Sequence, residues 1–156
     1  MKAIRRRDLY VALSAFVGAG KTTTTQTGPR PEPEKSRKTT LSDSKVLSPD
    51  RLPVTTNANG GKRWNILHGV LATSEAIALH ESLQPAGIAP NPAHSIQHSE
   101  LILVQQGTLL FEYDGRSEQV AEGGVIFIAF GTRHAARNVG DGPAKYLVVA
   151  IGGDTR

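Results

Sequence analysis

The sequence predicts an all-β fold, a sandwich or jelly-roll barrel built from short strands. Three observations carry this. Residues 64–151 break into about eight short apolar or alternating runs, the usual signature of such folds. Turn residues separate them at regular spacing: Pro85, Gly87, Gly107, Asp114-Gly115, Gly123-Gly124, Gly131 and Gly140-Asp141-Gly142. No stretch combines the length and the 3.6-residue periodicity of an amphipathic helix.

The first two runs are Trp64–Leu71 and Ala76–Leu83, joined by the polar turn Ala72-Thr73-Ser74-Glu75. The second could be helical on propensity, but its length and the breakers after it favour a strand. Ser99–Gln105, Thr108–Tyr113, Glu118–Ala121, Val125–Phe130, Ala135–Val139 and Ala144–Ile151 follow. Asp114-Gly115 predicts a tight hairpin, since both residues tolerate positive φ.

The chain of 156 residues suits one domain, and its formal charge of +4 is unevenly placed. Residues 1–40 hold nine Lys and Arg against three Asp and Glu, leaving nine basic and eleven acidic residues in 41–156. The body is therefore mildly acidic, which argues against a nucleic-acid-binding surface. With no cysteine there is neither a disulfide nor a thiolate metal site.

The N-terminal region divides into two expected parts. Residues 1–21 read as an export signal: a basic start containing Arg5-Arg6-Arg7, then the uncharged run Leu9–Gly20. Arg6-Arg7-Asp8-Leu9 resembles the twin-arginine export pattern, although Tyr10 and Val11 are not its favoured continuation. The run is too short for a membrane anchor, since a span takes about 20 residues. A periplasmic or secreted location is therefore expected. Gly18-Ala19-Gly20-Lys21-Thr22 looks like the end of a phosphate-binding loop, but Ala15 stands where its first glycine belongs. The threonine run and Pro29 behind it make a poor helix, so no helix terminus is aimed at a phosphate. Residues 22–60, rich in Thr, Pro, Ser and basic residues, are expected to form a flexible linker. Residues 61–156 form the folded domain.

The candidate chemistry lies in His94-Ser95-Ile96-Gln97-His98-Ser99-Glu100 and in His134. Residues 94, 96, 98 and 100 share parity, so a regular strand would point them to one face. Two imidazoles and a carboxylate there would suit a divalent metal, and His134 opens another strand that could come near. His68 and His80 carry no motif and are assigned to structure, with lining of a pocket as the other reading.

These residues resemble the cupin superfamily over about residues 62–152. Its first motif, G-x5-H-x-H-x3or4-E-x6-G, is matched by His94, by Glu100 and by Gly107 after six residues; Ile96 stands at the second histidine, and Gly87 is displaced by one position. Its second motif, G-x5-P-x-G-x2-H-x3-N, runs from Gly123 through Gly131 and His134 to Asn138, with Ala129 replacing the proline.

The resemblance implies a single barrel with a metal held by His94, Glu100 and His134, and His98 as a possible substitute for Ile96. Iron, zinc, nickel and manganese all suit such ligands. It also implies a small-molecule ligand and a homodimer, with Trp64 and the Ile66–Leu71 strand as interface candidates. Two functions remain open: a metal-dependent enzyme such as an oxygenase or isomerase, and a barrel that binds a small ligand without turnover. Asn138 is expected to shape the turn after it, and Arg133 and Arg137 to face solvent.

Overall fold

The computed structural model describes residues 39–155. The export signal expected over 1–21 and residues 22–38 of the linker expected over 22–60 lie outside these residues. Eleven strands form: β1 Thr40–Leu41, β2 Val54–Thr56, β3 Lys62–Leu71, β4 Ala76–Gln84, β5 His94–Ser95, β6 Ser99–Gln106, β7 Thr108–Tyr113, β8 Arg116–Ala121, β9 Val125–Ile128, β10 Arg133–Asn138 and β11 Ala144–Ile151. One short 3₁₀ turn, Pro49–Arg51, is the only helical element among the described residues.

The strands make two sheets. The larger has seven strands in the order β1-β3-β4-β11-β6-β9, with β2 also on β3; the smaller has four, in the order β5-β10-β7-β8. The all-β prediction holds. The barrel expected from the sequence is not closed by hydrogen bonds, because the two walls meet through side chains. Ile102, Val104, Ile126, Ile128, Tyr146 and Val148 of the larger sheet pack with Leu109 and Phe111 of the smaller one in a single core. Leu109 and Ile128 are its most enclosed large side chains.

All eight predicted strands match within two residues at each end. The turn at Asp114-Gly115 forms as expected, with φ of 46° and 75°. Three short strands were not predicted. β1 and β2 fall in the segment expected to be flexible, where both pair with β3. Its Thr and Val residues suit an edge strand, which needs backbone pairing more than a buried face. β5 is only two residues long, too short for periodicity to reveal.

Register decides what the site contains, because paired residues on neighbouring strands share a face. On the inner face of the larger sheet, Ile126, Ile102, Val148 and His80 form one row. Ile128, Glu100, Ala150 and Ala78 form the next. Val104, Tyr146, Ser82 and Arg63 form a third. The opposite parity faces outward and is strongly apolar. Phe127, Leu101, Val149, Leu79 and Leu67 make one outer row, and Val125, Leu103 and Leu147 begin another.

Gln84 ties the two walls together at one end. Its Nε2 donates to the Tyr146 hydroxyl at 2.8 Å and to the Ala136 carbonyl at 3.3 Å, while its Oε1 accepts from the Asn138 backbone at 2.9 Å. Asn138 does shape the following turn: its Oδ1 accepts from Gly140 N, and its Nδ2 donates to the Gly142 and Gln84 carbonyls. Gly107, which completes the first motif, has φ of +79°, and a Cβ there would meet the Pro143 carbonyl oxygen at 2.7 Å. Glycine is required on both counts.

Candidate functional site

The four sequence-predicted site residues line two cavities, reached by a different route from the one their spacing suggested. His94 belongs to β5 in the smaller sheet, and Glu100 belongs to β6 in the larger. Residues 96–98 are not in a strand; the chain crosses there from one wall to the other. The shared-parity argument therefore fails, and His94 and Glu100 line the cavity from opposite walls.

His94 and His134 are direct cross-strand partners on β5 and β10. Their ring centroids lie 4.8 Å apart, and Phe111 lies behind His134 at 5.7 Å. Each histidine places Nδ1 near a backbone carbonyl, His94 at 3.3 Å from Pro92 O and His134 at 3.2 Å from Thr132 O. A carbonyl only accepts, so Nδ1 carries the proton and Nε2 of each neutral ring keeps the lone pair. Burial lowers the His134 pKa; the Thr132 carbonyl opposes this, and His94 adds to it.

His98 is buried with both ring nitrogens engaged. Its Nε2 lies 2.8 Å from Glu100 Oε1 and its Nδ1 lies 2.5 Å from the Asp154 carbonyl oxygen. It holds Glu100 in place. The Asp154 carbonyl reaches it because Gly153 lets the chain pass close by: a Cβ at Gly153 would meet Gln97 O at 1.8 Å. Ile96, at the departed histidine position, is buried in the core at 6% exposure. Arg133 and Arg137 are exposed, and Arg137 pairs with Glu112 at 3.5 Å.

Three residues without a sequence motif join the site. Arg63, His80 and Tyr146 line a cavity of about 180 Å³ together with His94, Glu100, His134, Ile102 and Val148. Arg63, His80, His94 and Glu100 also line an adjoining cavity of about 270 Å³, which His98 helps to close. His80 Nδ1 is buried with no hydrogen-bond partner among the described residues. Such an atom costs about 1–3 kcal/mol. Burial, helped by Arg63 and His98, pushes the His80 pKa down to about 4, so its ring is neutral at pH 7. Arg63 keeps surface exposure as a residue, yet it lines both cavities. Partial burial there lowers its pKa, while Glu100 and Tyr146 act to raise it. Burial likewise raises the Tyr146 pKa, and hydrogen bonds from Gln84 and Ser82 oppose that. The inward parity of Arg63 and His80 was present in the sequence, but only the strand register shows which parity is inward.

The donor chemistry at His94, Glu100 and His134 fits a divalent cation. Two imidazoles offer Nε2 lone pairs and have their Nδ1 atoms fixed, and the carboxylate is oriented by His98. Among the described residues, no three His, Asp or Glu side chains are drawn close enough together to enclose an ion.

The comparisons with known proteins agree with this architecture. A family model described as a cupin domain matches residues 79–150. An RmlC-like cupin from Shewanella frigidimarina superposes with a TM-score of 0.58 at 18% identity, covering 72% of this chain and 95% of that one. KdgF from a Halomonas species gives a TM-score of 0.59 at 15% identity, covering 69% and 94%. A predicted oxalate decarboxylase from Thermotoga maritima gives 0.54 at 19% identity, covering 69% and 98%. No curated protein sequence matches the chain. The family match over residues 79–150 and the two-sheet fold shared with these structures give the chain a cupin-type domain.

Proposed function

We propose that this cupin takes a small organic molecule into the cavity between its sheets, beside a divalent cation held by His94, Glu100 and His134. The observation that carries the reading is that three polar donors from both walls line one cavity together with the apolar Ile102 and Val148. Sites of this kind are concave, mostly apolar and furnished with a few placed polar groups. A bound cation would act as a Lewis acid on an oxygen of the ligand. The protein's own contribution is orientation. His98 fixes the Glu100 carboxylate, the Pro92 and Thr132 carbonyls fix the two imidazoles, and Ile102 and Val148 keep water from the ligand's body.

The test is metal analysis of purified protein incubated with iron, zinc, nickel or manganese, repeated on Glu100→Gln and His134→Gln. The intact protein should retain one ion per chain and both variants should lose it. Full occupancy in either variant would move the site elsewhere. A protein that takes up none of the four metals but still binds ligand would be the non-catalytic barrel.

The basic leader supports export to the periplasm or beyond. The outward face of the larger sheet supports a homodimer. Phe127 and Val125 are 67% and 59% exposed on the edge strand β9, and they continue the apolar rows inward from the edge. A second copy would cover both the apolar rows and the open edge.

A further inference from the structure

We propose that Arg63 and His80 anchor a carboxylate group, so that the molecule this cavity takes is a small organic acid. The inference rests on the reading of the cavity as a ligand site, and it concerns residues outside the proposed cation-holding set. Arg63 and His80 stand on adjacent strands, β3 and β4, in neighbouring inward rows of the larger sheet. Both residues border both cavities. They lie on the wall opposite His94 and His134.

Two independent features point to an acidic ligand. The Arg63 Nε donates to Asn65 Oδ1 at 3.0 Å, and none of the ion pairs among the described residues includes Arg63. Its terminal amino groups can therefore serve a ligand, and a guanidinium fork matches a carboxylate with two parallel bonds. Glu100 is near enough to act on Arg63 electrostatically, but its Oε1 is held by His98. The second feature is the buried, partnerless Nδ1 of His80. As an N–H donor on a neutral ring, it would give a third bond to a carboxylate oxygen, and a ligand would thereby satisfy an atom the protein leaves without a partner. A neutral polar ligand would not use the charge on Arg63. An acid with a short apolar body would use the charge and also cover Ile102 and Val148.

The experiment is titration calorimetry on metal-free protein with acetate, malonate, succinate and benzoate, and with malonamide as the uncharged control. At least one acid should bind, and malonamide should bind more weakly than malonate. Arg63→Gln should weaken the best acid by about tenfold or more, the scale for a lost charge-assisted bond. Arg63→Lys should recover only part of that, because an ammonium offers no fork. His80→Leu should weaken binding several-fold, with the fold checked by far-ultraviolet circular dichroism. No binding across the acids, equal binding of malonamide and malonate, or unchanged affinity in both Arg63 variants would overturn the proposal. Metal content of Arg63→Gln, measured alongside, separates the two readings. Loss of acid binding with metal uptake intact supports the anchor, whereas acid binding without any metal uptake counts against the cation site alone.

Discussion

His98, just before β6, and Glu100, within it, stand two residues apart with Nε2 of one 2.8 Å from Oε1 of the other, and both are largely shielded from solvent. The pairing directs the carboxylate toward the cavity from one side, while the second nitrogen of His98 is tied to the Asp154 carbonyl. His98→Leu should therefore leave Glu100 in place but poorly aimed. Divalent-metal affinity should fall about 10–100-fold, as for other partners of metal ligands. Competition with a chelator measures it, and an unchanged affinity would show that the pair serves stability alone.

Gln84 bridges the two walls through bonds to Tyr146, Ala136 and Asn138. Gln84→Leu would strand the Asn138 N–H and remove the donors to the other two. Urea unfolding should show a loss of about 2–4 kcal/mol, from more than one buried group left unsatisfied. A loss within experimental error would mean that the walls are held by packing alone.

The His80 pKa sits at about 4 in the fold, below the ordinary value near 6.5. The unfolded chain therefore binds the extra proton first as pH falls. The stability this neutral ring contributes is fully present above about pH 6.5 and is lost as pH falls toward 4. Allowing for solvent screening of a partly accessible ring, the loss should be on the order of 2 kcal/mol. His134, also lowered by burial, adds in the same direction. Stability of His80→Phe measured across this range should fall less steeply; an identical slope would assign the pH dependence to other groups.

Assembly is read from Phe127 and Val125. Light scattering at micromolar concentration should give a dimer for the unaltered protein and a monomer for Phe127→Glu, since a buried unpaired carboxylate is costly. The unaltered protein running as a monomer would discard this interface.

Export depends on Arg6 and Arg7 if the leader is read as a twin-arginine signal. Changing both to lysine should hold the precursor in the cytoplasm, and the mature protein should lack about its first twenty residues. Undiminished periplasmic recovery of the double variant would sink the reading.

The sequence by itself determined the class of fold and most of its strands, because alternation and turn glycines are local properties. Asp114-Gly115 set its hairpin with two residues, and Ala144–Ile151 was legible as a strand from its apolar run. His94, Glu100 and His134 were legible through motif spacing. How they come to line one cavity was not legible. Parity placed His94 and Glu100 on one strand face, yet the crossing at residues 96–98 puts them on opposite walls. Arg63, His80 and Gln84 carried no motif that marked them. Their importance comes from register across β3, β4 and β11, a pairing between residues sixty or more positions apart in the case of β4 and β11. Such pairings are chosen by the core as a whole, and a single strand's pattern carries no record of its neighbour. The tertiary structure alone decided which faces became cavity and which apolar face was left on the outside.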